Sequence, residues 1–445
     1  MRQTIKRFSL AAATATVILS TGVASYAQVA DAAIIADTLN SKIETVKSDL
    51  GLLSRFKVTG YLQAQWQLAD TAGISSFSGG NFPKYADNRF SVRRGRVKFM
   101  YEHELSTYVV QLDATDKGVA LKDAYVAVQD PWIEFATLTA GVFDRPFGYE
   151  ISYSSSSRET PERSRLFQSL FPGERDLGAK ITLQPKKGSR YDFIRLDAGL
   201  FAGNGVNPEF DRRKDFIGHL SVAKSNRAEN FKFGLGISYY NGGVFQGTKY
   251  IYSAHTPENG AMLFLADSSA TNKSGFSRRE YLGADLQLSL FSSLGITSLR
   301  AEYINGNQPG SKNSNVSISS GTAPDYDIYN RKFDGGYLYF IQSIGQSRHQ
   351  LVVKYDWFDP NTRVAGLDIV TKNAGGQATG LGTADISYTT LGLGWNYRFN
   401  SHIKLSAYYD IVKNEITGIT GSNSTNDYSR DLKDNVLTVR VQYKF

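Results

Sequence analysis

The stretch 437–445 reads Leu437-Thr438-Val439-Arg440-Val441-Gln442-Tyr443-Lys444-Phe445. Apolar and polar residues alternate through it without a break. A strand sends successive side chains to opposite faces, so Leu437, Val439, Val441, Tyr443 and Phe445 make one apolar face and Thr438, Arg440, Gln442 and Lys444 a polar one. An edge strand of a soluble sandwich would account for this. So would the closing strand of a transmembrane β-barrel, whose outer face meets lipid and whose inner face meets water. The rest of the chain favours the barrel. Phe56, Val58, Leu62, Ala64, Trp66 and Leu68 alternate with Lys57, Thr59, Tyr61, Gln63, Gln65 and Gln67. Similar runs recur near 90–103, 107–114, 121–129, 135–143, 177–184, 191–203, 214–224, 231–240, 279–290, 296–305, 334–344, 348–358, 387–399, 402–412 and 435–445. The pattern predicts an all-β protein, a sixteen-stranded antiparallel transmembrane β-barrel over 55–445. An even strand number brings both ends of the barrel to one side.

The connections sort by parity. If the first strand rises from the periplasm, the outer connections include 70–89, 144–176, 241–278, 306–333, 359–386 and 413–434, which are long and rich in Gly, Ser, Asn and Thr. The inner ones are short, as at 224–230, 345–347 and 400–401. Long outer loops with short inner turns are the outer-membrane barrel pattern.

The amino end agrees. Arg2, Lys6 and Arg7 precede a short apolar run at 10–19, and Ser25-Tyr26-Ala27 offers small residues for cleavage. This predicts a signal peptide over 1–27, too short to anchor in a bilayer, and an address in the outer membrane of a Gram-negative bacterium. Residues 28–54 carry Ala32, Ala36, Leu39, Ile43, Val46, Leu50 and Leu53 in steps of four and three, a heptad seam. They are expected to form a short periplasmic helix, either part of a coiled coil or an amphipathic helix at the barrel rim. The chain has no cysteine, and its hydrophobic content of 41% suits a barrel in which half of each strand faces water. Aromatic residues at 13% would supply interfacial girdles.

The formal charge of +8 becomes +5 without the three bases of the signal segment. A basic balance points to nucleic acid, acidic lipid or an anionic solute, and export removes nucleic acid from that set. No zinc spacing, calcium loop or Gly-rich phosphate loop stands out, so neither a metal nor a cofactor is expected. His103, His219, His255, His349 and His402 lie far apart, and none sits in a nucleophile or metal spacing. No catalytic residue is assigned.

Alternation also separates lipid from lumen. Val97, Phe99 and Tyr101 take the lipid face, so Arg94, Arg96 and Lys98 point inward, about 7 Å apart along the strand. Such a file could pass an anion from site to site, or it could be salt-bridged to lumen carboxylates such as Asp113 and Asp123. Gly234, Gly236, Gly392 and Gly394 also fall inward, which suggests either an open pore or local bends of the strands. The outer connection 144–176 contains Phe147, Leu166, Phe167, Leu170 and Phe171, too apolar for a solvated loop. It is expected to fold into the barrel as a constriction, with Thr160-Pro161-Glu162 starting a short helix that Pro172-Gly173 ends. It carries Arg145, Arg158, Arg163, Arg165 and Arg175 among slightly more acids, giving either a transverse field or a positive ring.

Val92-Arg93-Arg94-Gly95-Arg96, Gln111-Leu112-Asp113, Asp123-Ala124-Tyr125-Val126, Pro146-Phe147-Gly148-Tyr149-Glu150, the serines at 154–157 and Arg175-Asp176-Leu177-Gly178 together resemble the phosphate-selective porin O and P family. The likeness is densest over 88–184. It implies a trimeric outer-membrane channel with sixteen strands, an arginine ladder at Arg94 and Arg96 with Lys98, and an inward third outer loop. In phosphate-specific members lysines help form the anion site, whereas this third loop contains none. The resemblance implies small anionic solutes, phosphate-like oligoanions among them, as partners. Outer-membrane lipid and the barrel assembly machinery, which would read the terminal strand and Phe445, complete the set. The rival is an outer-membrane binding or adhesion barrel working through its long outer loops.

Overall fold

The structure, a computed structural model, describes residues 41–47, 51, 53–258 and 262–445. The signal segment and the first part of the heptad seam lie outside these residues; residues 41–47 are helical. The chain divides into two units, and the second, Phe56–Phe445, holds the strands.

That unit contains β1 (Phe56–Ala69), β2 (Asn88–His103), β3 (Ser106–Thr115), β4 (Gly118–Gln129), β5 (Ala136–Asp144), β6 (Arg175–Leu183), β7 (Ile194–Phe201), β8 (Asp215–Ser225) and β9 (Phe231–Phe245). There follow β10 (Ile251–His255), β11 (Leu263–Asp267), β12 (Phe276–Ser292), β13 (Gly295–Gly310), β14 (Ile328–Ser343), β15 (His349–Asp359), β16 (Tyr388–Arg398), β17 (Ile403–Asn414) and β18 (Val436–Lys444). Sixteen of them pair antiparallel in chain order and close, β18 against β1, with Trp66 opposite Val439 and Gln65 opposite Arg440. The two others, β10 and β11, form a hairpin within the connection 246–275, and β10 lies parallel to the start of β14. The alternation marked all sixteen wall strands. It missed the hairpin, read as loop within 241–278.

The expected facing holds in β18. Val439 and Val441 are 43% and 48% exposed on the outside, while Thr438, Arg440 and Gln442 are 0%, 3% and 4% exposed inside. Long connections gather at one end of the barrel and short turns at the other, apart from the two-residue turn 116–117 on the long-loop side.

Two β-bulges break strict alternation. Gln63 lies opposite Arg94 but Ala64 opposite Val92, so Arg93 is the extra residue. It reaches inward beside Arg94, while Phe90 swings outward. Across β3 and β4, Gln111 faces Asp123 and Leu112 faces Leu121, so Lys122 is the second extra residue. A bulge places two successive charged residues on the lumen side, which period-two reading cannot foresee.

The inward glycines do not open the pore, contrary to the first of the two sequence readings. Tyr408 lies across Gly392 and Gly394, Asp285 and His219 cover Gly236, and Gln287 covers Gly234. Their missing side chains make room for a neighbour's large one.

Closure at the end of β18 rests on Phe445. Its N–H donates to the Gly60 carbonyl at 3.0 Å and its carbonyl accepts from the Gly60 N–H at 3.1 Å, with the ring lying where a Gly60 side chain would be. Each hydrogen bond contributes about 0.5–1.5 kcal/mol. Deleting Phe445 is expected to lower the yield of folded, heat-modifiable protein on gels; an undiminished yield would show that closure does not depend on it.

Candidate functional site

The connection 145–174 folds into the barrel. Phe147, Leu166, Phe167, Leu170 and Phe171 are fully buried against wall residues that include Tyr240, Tyr281, Tyr337 and Phe358. Burying those rings against the wall stabilises the inward fold, at about 25 cal/mol per Å² of apolar surface removed from water. Gly148, at φ +62°, lets the backbone approach Glu302 so closely that any side chain there would overlap its carboxylate. Glu302 accepts hydrogen bonds from the Tyr149 and Glu150 N–H groups and from the Tyr337 hydroxyl.

The short helix spans Arg165–Leu170 rather than starting at Thr160. Glu162 is drawn away to the wall, the Thr160 hydroxyl donates to its carbonyl, and the chain enters the helix at Ser164, whose N–H and hydroxyl both donate to Glu150.

Glu162 is the point where loop and wall meet. Its carboxylate receives Arg94 at 2.7 Å, Arg93 at 2.9 Å and Arg440 at 2.9 Å. Burial pushes its acidity down, but the three guanidinium groups outweigh burial and hold the carboxyl well below the usual range. Arg158, buried close by, bonds only to the Thr160 and Pro161 carbonyls, and burial followed by the neighbouring Arg163 and Arg94 lowers its pKa to about 10. Three arginines thus share one carboxylate, with a fourth guanidinium close by.

The other predicted residues are also placed. Arg96 pairs with Asp113 at 3.1 Å. Arg145 lies 3.3 Å from Asp176, Arg163 pairs with Glu174, and Arg175 bridges Asp123 and Asp144 at 2.9 Å each. Arg165 stacks over Tyr388 and Phe77. Among the described residues Lys98 has no carboxylate partner within ion-pair distance, and it lines a 240 Å³ cavity beneath the loop with Arg96, Arg163, the serines at 152 and 154–156, and Asp123 and Asp144, both held by Arg175. Asp113 and Asp123, read as lumenal, are buried inside, as are Asp197, Asp215, Asp285, Glu302, Asp356 and Asp410, whereas Glu102 is partly exposed and pairs with Lys57.

Sequence reasoning missed the role of Glu162 and the inward turn of two further outer connections. The Gln168 side chain donates to the Phe77 carbonyl at 2.9 Å, Ser78 donates to Asp410 at 2.7 Å, and the Ser317 N–H donates to the Ser169 carbonyl at 2.7 Å. Buried Ile74 and Phe82 in the first of these were the available signal. The histidines have separate partners: His219 contacts Asp285, His103 stacks on Tyr101, His349 on Trp395 and His402 on Tyr443, and His255 pairs with Leu263 in the β10–β11 hairpin.

A closed sixteen-stranded wall, apolar outside and charged inside, with a loop folded across its lumen, defines an outer-membrane porin, a diffusion channel of the Gram-negative outer membrane. Residues 90–241, about a third of the chain, match the family described as phosphate-selective porin O and P, so the resemblance carried by the motifs holds over that stretch. Among solved structures, OprB of Pseudomonas putida is similar at 9% identity, covering 89% of this chain and 96% of its own, with a TM-score of 0.53. An anion-selective porin from Comamonas acidovorans is similar at 9% identity, covering 88% and 99%, with a TM-score of 0.50. At such identities the likeness is one of fold. No curated protein matches the chain.

Proposed function

We propose that this porin favours small anions and that Lys98 is the cation they meet. The carrying observation is that Lys98, alone among the three ladder positions, lacks a carboxylate partner. Arg94 is buried and acts through its field, while Arg96 reaches the cavity with its charge already offset by Asp113. Around Glu162 that field is positive, because four guanidinium groups surround one acid. An anion beneath the loop would exchange water for the Lys98 ammonium and the serine hydroxyls, each shallow enough to release it.

Lys98→Gln tests this. A unit charge about 6 Å from the permeant ion, largely in water, is worth about 1 kcal/mol, so the chloride-over-potassium permeability ratio is expected to fall about fivefold in dilute salt. The change should shrink near 1 M, where screening acts over about 3 Å. Reversal potentials in a KCl gradient measure it; an unaltered ratio in dilute salt would refute the role.

The proposal extends to a homotrimer in outer-membrane lipid, assembled by the barrel assembly machinery, with the exported chain starting at 28 and residues 28–54 aiding association. It is a channel and not an enzyme. One observation supports the rival reading of a binding barrel: the outer connections have an apolar core of their own, with Phe264, Val364, Ile369, Leu381 and Ile386 packed together. Such loops could present a fixed surface to a partner.

A further inference from the structure

Below Lys98, on the short-turn side, the lumen widens into a cavity of 630 Å³ against the inner face of β4, β5 and β6. Its charged wall is largely self-neutralised. Asp197 takes both Lys180 at 3.0 Å and Arg195 at 2.6 Å, Glu134 takes Lys186, and Asp123 and Asp144 are held by Arg175. Two lining cations, Lys98 and Lys187, have no carboxylate partner among the described residues. The same cavity carries Tyr125 and Phe143 at its inner end and Phe135 at its mouth, where the Gln184 N–H donates to the Phe135 carbonyl at 2.8 Å. Tyr125 and Phe143 meet edge to face at 6.0 Å, and Phe135 stands 39% exposed in the turn between β4 and β5.

Charged lumen walls attract ions, but they give no reason for an exposed ring at the pore mouth. A hydrated chloride or inorganic phosphate engages only the lysines and gains nothing from the rings. A carboxylate with an aromatic ring engages both kinds of group at the mouth, with the carboxylate on the Lys187 ammonium and the ring edge-on or offset against Phe135. The cavity lies within the size range of small-molecule sites.

We infer that this vestibule is a binding site for aromatic carboxylates, formed by Lys187 and Phe135 at its mouth, with Lys98 and Tyr125 at its inner end. The inference rests on the anion-favouring reading above and narrows its solute class.

The test uses the full-length protein in planar bilayers, recording KCl current while benzoate, hexanoate or acetate is added to each side in turn. Benzoate is expected to halve the current at a concentration about tenfold below acetate, and more readily from the short-turn side. Phe135→Ala should bring benzoate to the acetate value, whereas Lys187→Gln should weaken both carboxylates together. Benzoate no better than acetate overturns the site, and hexanoate equal to benzoate overturns the requirement for a ring. The chloride-over-potassium ratio is read on the same membranes. If it favours chloride while benzoate fails, this inference alone falls; if it favours potassium, the anion reading falls with it.

Discussion

Replacing Glu162 with glutamine is expected to loosen the constriction loop and raise anion selectivity together. The carboxylate joins Arg93 and Arg94 on β2 to Arg440 on β18, with Arg158 close by. Glutamine keeps the shape and one acceptor oxygen but leaves these buried guanidinium groups without a counter-charge. Removing one partner of a buried ion pair costs about 3–5 kcal/mol. The arginines can recover part of this only by turning toward lumenal water, which detaches the loop at Pro161. Fluctuating single-channel conductance, a lower melting temperature of the folded barrel and a chloride-over-potassium ratio raised severalfold should therefore appear in one variant. Quiet channels with the original ratio would mean that the arginines are held by other groups. The same reasoning sets a pH window. Because the folded carboxyl sits below its ordinary range, its contribution is complete above the unfolded value of about 4.3 and is lost only as pH falls toward the depressed one. The latch should hold through mild acid.

The fold was legible because lipid and lumen impose opposite demands on alternate residues. Leu437 through Phe445 and the fifteen other runs show that demand without any distant contact. Local exceptions were not legible. Arg93 and Lys122 face the lumen through bulges, which add one residue to a strand without altering the composition around it. Gly392 and Gly394 looked like open space because the residue that fills it, Tyr408, lies on the next strand at positions that only the register supplies. The constriction loop announced itself by apolar residues in a polar setting. Its partners did not, since Glu162 meets Arg440 across 278 residues of chain. Sequence therefore indicated which residues were charged and inward, but not which of them cancel, and that cancellation is what distinguishes Lys98 from Arg94 and Arg96.

Val439→Arg is expected to prevent assembly where its neighbour Arg440→Val does not. The two residues are adjacent on β18 and differ in what lies beyond the side chain. Val439 is paired with Trp66 in mid-strand and points outward, 43% exposed on the apolar face. An arginine there must enter hydrocarbon or bend to the interface, at about 2–4 kcal/mol near the midplane. No carboxylate lies on that side of β18 to offset the charge, since Leu437, Val441 and Tyr443 are its outward neighbours. Arg440 points into the lumen and binds Gln65, the Pro161 carbonyl and Glu162. Valine removes those bonds, but Arg93 and Arg94 still hold Glu162, so the loop keeps two of its three anchors and the lumen loses a charge without gaining an unpaired one. The first variant should remain mostly in the unfolded band on heat-modifiability gels; the second should fold, with a modestly lower chloride-over-potassium ratio. Equal folding of the two would reverse the assignment of faces on β18, and with it the direction of every lumenal charge read from the alternation.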